Sequence, residues 1–251
     1  MACAPSSCQR AMDTLTRCLL VALASACLYG AGAGPAQAAH RTNLRAGQPL
    51  AVLLSNHRVH RSPAAGSAAI GLLAARRPIT GEATTVPVIG SSLAANSVRW
   101  LRVMLPGRPN GSSGWIAQQG TRAELTSWSL VVNLARRRVQ VYRHGRLAKS
   151  FQAVVGKPST PTPTGSFFVE ESFRMVASEP GGPIALALSA RSNVLQEFEG
   201  GPGQIALHGR DGLGGTLGAA ESHGCVRLDT ASIEWLGAHI VPGTPVRIEN
   251  G

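Results

Sequence analysis

One thiol, Cys225, lies within the stretch Glu221–Asp229, "ESHGCVRLD", with His223 two residues before it and Arg227 two after. A cysteine that attacks a carbonyl needs three things. It needs a base or cation nearby to favour the thiolate, because a free thiol ionises only near a pH of about 8.5. It needs donors for the oxyanion of a tetrahedral intermediate, each worth about 3 kcal/mol in a known case. It also needs a backbone that presents the sulfur to a substrate. Ser222-His223-Gly224-Cys225 can supply the last two. Gly224 lets a substrate approach the turn without a side-chain clash, and the amides of Gly224 and Cys225 can converge on one oxygen. Two imidazoles compete to be the base. His223 is close in sequence, but the glycine between it and Cys225 leaves its direction open. His208 ends the apolar alternating run "QIALHG". It reaches Cys225 if the strands on either side of a glycine-rich loop are neighbours. We expect His208 to act as base and general acid, and His223 to shape the site by hydrogen bonding.

Zinc is a rival use of the same side chains, with His208, His223 and Cys225 as three ligands. A structural zinc site wants four, and the chain has no Cys-x-x-Cys or second nearby cysteine. No metal and no cofactor are expected. His57, His60, His144 and His239 stand in unrelated contexts and read as surface or structural residues. Asp211, Glu221 and Asp229 are near in sequence, but no spacing makes one of them a third member of the site. The planar fork of Arg227 suits a substrate carboxylate or a bracing contact to the loop equally well.

The elements that must position these residues read as strands. Charged residues make up 15% of the chain, glycine is frequent and aromatics are 4%, a composition that favours a β-rich, loop-rich protein. From residue 126 to 251, apolar runs at Leu130–Leu134, Val139–Tyr142 and Phe151–Val155 alternate as strands, with "RHGR" as a hairpin turn. Three prolines within "PSTPTP" forbid a helix there. The segment Glu171–Gly203, punctuated by glycine and proline around a buried strand "IALALSA", is expected to be mobile and to govern substrate entry. Asp229 reads as the N-cap of a short helix, "TASIEWLGAH", and "GTPVRIEN" as a last strand. Residues 40–125 hold several short strand candidates split by Gly, Pro, Ser and Asn, the pattern of a small barrel.

The formal net charge is +11, which attracts polyanions such as nucleic acid, anionic lipid or an acidic wall polymer. The basic residues lack the interleaved aromatics of a nucleic-acid reader, so nucleic acid is not the expected partner; an anionic cell wall or lipid surface stays open, and each basic pair by itself reads as a solvated face. Residues 1–39 read as an export signal. Arg10 and Arg17 precede the apolar "CLLVALASACLYGAG", and Ala36-Gln37-Ala38 fits a cleavage site. Cleavage removes Cys3, Cys8, Cys18 and Cys27 and leaves Cys225 as the one cysteine of the mature chain. A membrane tether is expected only if the signal stays uncleaved or Cys27 is lipidated.

The run "HGRDGLGGTLGAAESHGCVRL", with "TPTPTGSFFV" upstream, resembles the L,D-transpeptidase catalytic domain, also called the YkuD domain, over residues 126–251. His208, Ser222, His223, Gly224, Cys225, Val226 and Arg227 fill that family's pattern. The resemblance implies an exported enzyme of the cell wall or periplasmic space, acting on peptidoglycan stem peptides through a Cys225 thioester. In that role the Gly209 carbonyl orients the imidazole, and Gly224, Ser222 and Arg227 serve the oxyanion or the substrate. Forming 3→3 crosslinks is the expected outcome. Water as acceptor would make the chain an L,D-carboxypeptidase, and a wall-binding protein without catalysis or a general cysteine protease are the other readings. The stretch "WLRVMLPGRPNGSSGWI" is similar to bacterial SH3-like domains, with Trp100 and Trp115 read as core residues. The expected fold is therefore mainly β, a small SH3-like barrel followed by a β-rich catalytic domain with a short helix after the nucleophile.

Overall fold

A computed structural model describes residues 47–94, 97–176, 178–198 and 200–251. The export segment, its cleavage site and Cys27 lie outside the described residues. Seven strands come first: β1 (Gln48–Leu53), β2 (His57–His60), β3 (Ala69–Leu73), β4 (Thr85–Leu93), β5 (Arg99–Met104), β6 (Ser113–Ala117) and β7 (Thr121–Thr126). They form one sheet in the order β3-β2-β6-β5-β4-β1-β7, with every pair antiparallel. Its core is built from Ala51, Leu53, Val59, Val86, Val103 and Ile116. Trp100 is buried and meets the edge of His60, ring centres 5.2 Å apart. Trp115 is only half-buried.

The remaining elements are β8 (Trp128–Asn133), β9 (Arg138–Arg143), β10 (Arg146–Gln152), β11 (Val155–Gly156), β12 (Gly165–Arg174), β13 (Ile184–Arg191), β14 (Gln204–Gly209), β15 (Ala220–Ser222), β16 (Val226–Leu228), α1 (Thr230–His239) and β17 (Pro245–Glu249). Eight of the strands make a mixed sheet in the order β10-β9-β8-β17-β12-β13-β14-β16, while β11 and β15 pair separately. The molecule is mainly β, with one short helix just after Cys225, as the sequence leads one to expect. β9 and β10 are joined by His144-Gly145, both at positive φ (49° and 74°), the conformation a two-residue hairpin needs. β13 is buried along seven of its eight residues. That is why "IALALSA" reads as an unbroken apolar run rather than an alternation.

Asp229 caps α1 by accepting the Ser232 amide at 2.9 Å. The helix lays Ile233 and Leu236 on the same core as Leu186 and Leu207. The structure corrects one expectation. The segment after Glu171 is not loop at its start, because β12 runs on to Arg174 and pairs with β13 through Ile184. Among the described residues from 171 to 203, only 175–176, 178–183, 192–198 and 200–203 lie outside these strands.

β12 also ties the two sheets together. Phe167 joins the core of the second sheet and Phe168 that of the first, as alternation along a strand requires. The register then shifts between Val169 and Glu171, and Glu170 and Glu171 are both buried. Arg77 of the first sheet's side pairs with Glu170 and lies 3.4 Å from Glu171. Arg191 pairs with Glu170 at 3.0 Å. Glu171 also accepts the amides of Ile79 and Thr80 at 3.2 and 2.9 Å.

Candidate active site

β14 and β16 run parallel as neighbours, with Leu207 opposite Val226, His208 opposite Arg227 and Gly209 opposite Leu228. Their side chains alternate. Ile205, Leu207, Val226 and Leu228 turn into the core, and His208 and Arg227 occupy the half-open positions between them. Cys225 stands at the head of β16, two residues before Arg227, and is half-buried. Its Sγ lies 3.9 Å from the carbonyl oxygen of Gln204, at the start of β14. One strand pair therefore carries both the thiol and the imidazole, which is the condition under which His208 can serve Cys225.

His208 Nδ1 is 2.7 Å from the Gly209 carbonyl oxygen. A carbonyl can only accept, so Nδ1 carries the proton and the neutral ring keeps Nε2 as its acceptor. Two glycines make room for this arrangement. A Cβ at Gly181 (φ +92°) would stand 2.8 Å from His208 Nδ1, and one at Gly209 would stand 1.7 Å from the Gly182 oxygen. Burial pushes the imidazole pKa below its ordinary value. Hydrogen bonds to Gly209 and Gly181 oppose that shift, and the charge of Arg227 adds to it. Burial thus favours the neutral ring.

The turn that presents Cys225 is gripped from two sides. Ser222 is fully buried. Its hydroxyl donates to the Cys225 carbonyl at 2.6 Å and accepts the Gly224 amide at 3.2 Å. The Gly224 N–H, expected to face an oxyanion, is thus engaged by Ser222 and closes the turn, with Gly224 at φ +121°. From the proline-rich segment, Thr162 Oγ1 donates to the Gly224 carbonyl at 2.8 Å and accepts the Gly156 amide at 2.9 Å. Thr160 Oγ1 donates to the Ser222 carbonyl at 3.2 Å. Prolines 158, 161 and 163 keep this segment extended and irregular, which leaves its threonines to bond the turn.

The glycine-rich loop 210–219 is braced by the acidic and basic residues around it. Arg227 Nη1 donates to the Leu213 carbonyl at 3.2 Å, a bracing contact to the loop. Glu221 accepts the Thr216 amide at 2.8 Å, and Arg210 donates to the Gly215 carbonyl at 2.8 Å. Asp211 accepts from Thr230 at 2.8 Å. His223 is exposed. It stacks on Phe198 with ring centres 5.8 Å apart, and its Nε2 lies 3.5 Å from the Lys157 ammonium. Among the described residues, no group of three His, Cys, Asp or Glu is placed to hold a metal ion.

Sequence reasoning brought Cys225, His208, Gly209, Ser222, Gly224, His223 and Arg227 to one neighbourhood, and all of them lie there. It missed the grip of Thr160 and Thr162, the fit of Gly181 against the imidazole, and the stacking of Phe198 on His223. The "TPTPTG" run was the available signal for the threonines. Phe198 carried none, because its partner lies across a loop.

Residues 127–248 match the family model described as the L,D-transpeptidase catalytic domain, YkuD. Among curated proteins, the chain is 28% identical over 124 residues to YkuD of Bacillus licheniformis, a match covering 48% of this chain and 65% of that protein. It is 28% identical over 167 residues to L,D-transpeptidase 1 of Mycobacterium tuberculosis, covering 62% of this chain and 64% of that protein. The chain thus spans somewhat under two thirds of these relatives' length. Among solved structures, L,D-transpeptidase 3 of Mycobacterium tuberculosis with a faropenem-derived adduct matches at a TM-score of 0.43 and 16% identity, over 66% of this chain and 91% of that one.

Proposed function

We propose, from the match of residues 127–248 to the YkuD model of the L,D-transpeptidase catalytic domain, that this chain is an exported enzyme that crosslinks peptidoglycan 3→3 through a Cys225 thioester. The single observation that carries the reading is the parallel pairing of β14 with β16, which sets His208 opposite Arg227, two residues from Cys225.

The chemistry follows from the groups on the page. His208 Nε2 takes the thiol proton, and the Cys225 thiolate attacks the carbonyl carbon of the third stem residue. The tetrahedral intermediate collapses by breaking the bond to the terminal D-alanine. Its amine leaves with the proton that His208 returns, and Cys225 holds the acyl group as a thioester. A side-chain amine of a second stem then loses a proton to His208 and attacks the thioester. The C–N bond forms, the C–S bond breaks, and the proton goes back to sulfur. The Nδ1–H bond to Gly209 keeps the ring in the tautomer that this cycle needs. A neutral imidazole, favoured by its burial, is the form that can accept in both half-reactions.

The test is mass spectrometry of the purified chain after incubation with a disaccharide-tetrapeptide. Wild type is expected to show a covalent thioester and a dimeric product, and Cys225→Ala neither. Thioester followed only by released tripeptide would make water the acceptor and overturn the crosslinking step. An export-dependent mass loss ending near Ala38 in secreted material is the matching check on the signal segment.

A further inference from the structure

The loop between β5 and β6 leaves the first sheet and fastens onto the second beside the active site. Gly107 N–H donates to the Ser189 carbonyl at 3.2 Å. Asn110 meets Arg191 in both directions, its Nδ2 donating to the Arg191 carbonyl at 2.7 Å and its Oδ1 accepting the Arg191 amide at 2.8 Å. Arg108 reaches further. Its guanidinium donates to the carbonyls of Pro202 at 2.9 Å, Ser192 at 2.8 Å and Leu195 at 3.3 Å.

These three carbonyls belong to one loop, residues 192–203. Its ends are closed by the Ser192 amide on the Gly203 carbonyl at 2.8 Å. Gly203 has φ +63°, and a Cβ there would lie 2.0 Å from the Leu195 oxygen. The loop is therefore curled tightly around a centre of converging carbonyl dipoles, and a cation is what such a centre calls for. The same loop carries Phe198, which stacks on His223. It runs directly into Gln204, whose carbonyl touches the Cys225 thiol.

Building on the proposed transpeptidase reading, we infer that Arg108 is a positioning residue for substrate. From the first sheet, it fixes the curl of loop 192–203 and so sets the wall, through Phe198, along which a stem peptide approaches Cys225. The first sheet is then part of the specificity apparatus of the second, beyond any role as spacer or wall anchor. Arg108 itself is exposed and takes no part in the proton transfers, so its loss acts on binding more than on chemistry.

Arg108→Ala in the full chain is expected to raise KM for the disaccharide-tetrapeptide roughly tenfold with kcat within about twofold, the split expected of lost ground-state positioning. Alkylation of Cys225 by iodoacetamide, which needs no wall, is expected to keep its wild-type rate. Arg108→Lys, which keeps the charge but not the fork, is expected to fall between the two. Hydrogen exchange of the amides in 192–203 is expected to quicken in Arg108→Ala and to stay unchanged in Arg102→Ala. A wild-type KM in Arg108→Ala, or equal losses of kcat and of alkylation rate, would overturn the inference. If wild type itself forms no thioester, the functional reading fails, and unchanged exchange in Arg108→Ala then separately sinks the clamp.

Discussion

The turn around Cys225 and the seam between the two sheets solve opposite problems with opposite materials. At the turn, the fixing groups are neutral hydroxyls and backbone: Ser222, Thr160 and Thr162 bond the amides and carbonyls of residues 222–225. At the seam, four charged side chains, Arg77, Glu170, Glu171 and Arg191, are packed against one another with little access to water. Hydroxyl bonds hold geometry without adding a field. The charge that does reach the imidazole is that of Arg227, which adds to the lowering of its pKa by burial. At the seam, charge can specify which surface meets which. The turn is held by neutral groups, and the seam by ion pairs.

If the contrast holds, damage at the two places separates into different observables. His208→Ala is expected to lower kcat/KM by about 10²–10⁴-fold, the usual range for a lost general base, with the urea midpoint little changed. An equally large fall in stability would mean that the imidazole serves the fold and not the reaction. Glu170→Ala is the converse. It leaves Arg77 and Arg191 buried with one carboxylate fewer, and breaking a buried pair from one side costs about 3–5 kcal/mol. The chain should lose that stability in urea denaturation while the thioester still forms at 10 °C. A midpoint within error of wild type would show that the seam's charges are solvated or redundant.

The same contrast explains what could be read from the sequence. At the active site, the decisive spacings are short or follow one strand. Ser222 to Cys225 is a single turn, and "QIALHG" declares a strand whose last polar side chain is His208. The gathering of these residues is therefore legible, and so are the helix cap at Asp229 and the hairpin at His144-Gly145. The seam joins Arg77 to Glu170, far apart along the chain, through a register shift in β12 that puts two successive glutamates in the interior. Alternation marks such a pair as half exposed, and Glu171 accordingly stands at the start of the segment expected to be mobile. Arg108 was hidden for a related reason. In sequence it lies in a polar turn, "GRPNGSSG", and only the folded chain shows three carbonyls from residues 192–202 closing on it.

A smaller effect tests whether the hydroxyl grip is the part that matters. Thr162 is buried, and its Oγ1 serves the Gly156 amide and the Gly224 carbonyl together. Thr162→Val keeps the shape and removes both bonds, and leaving buried partners unsatisfied costs about 1–3 kcal/mol. Because one of those partners belongs to the turn, kcat/KM should fall with stability. Thr162→Ser, which keeps the hydroxyl, should recover most of both. Full activity in Thr162→Val would show that Ser222 alone holds the turn.

The subtlest prediction concerns pH, where the two strategies meet in Arg227. His208 works as a base only when neutral, that is, at a pH above its own pKa. Burial holds that pKa below the ordinary histidine value of about 6.5, and the Arg227 charge lowers it further. The acid limb of kcat/KM should accordingly fall below the ordinary histidine range. Arg227→Gln keeps a donor for the Leu213 carbonyl but removes the charge. The limb should then move up, toward the ordinary value without reaching it, because burial remains the larger cause. A limb that does not move would mean that solvent screens Arg227 from the ring. A limb that moves down would mean that Arg227 acts on the ring through the loop it braces and not through its charge.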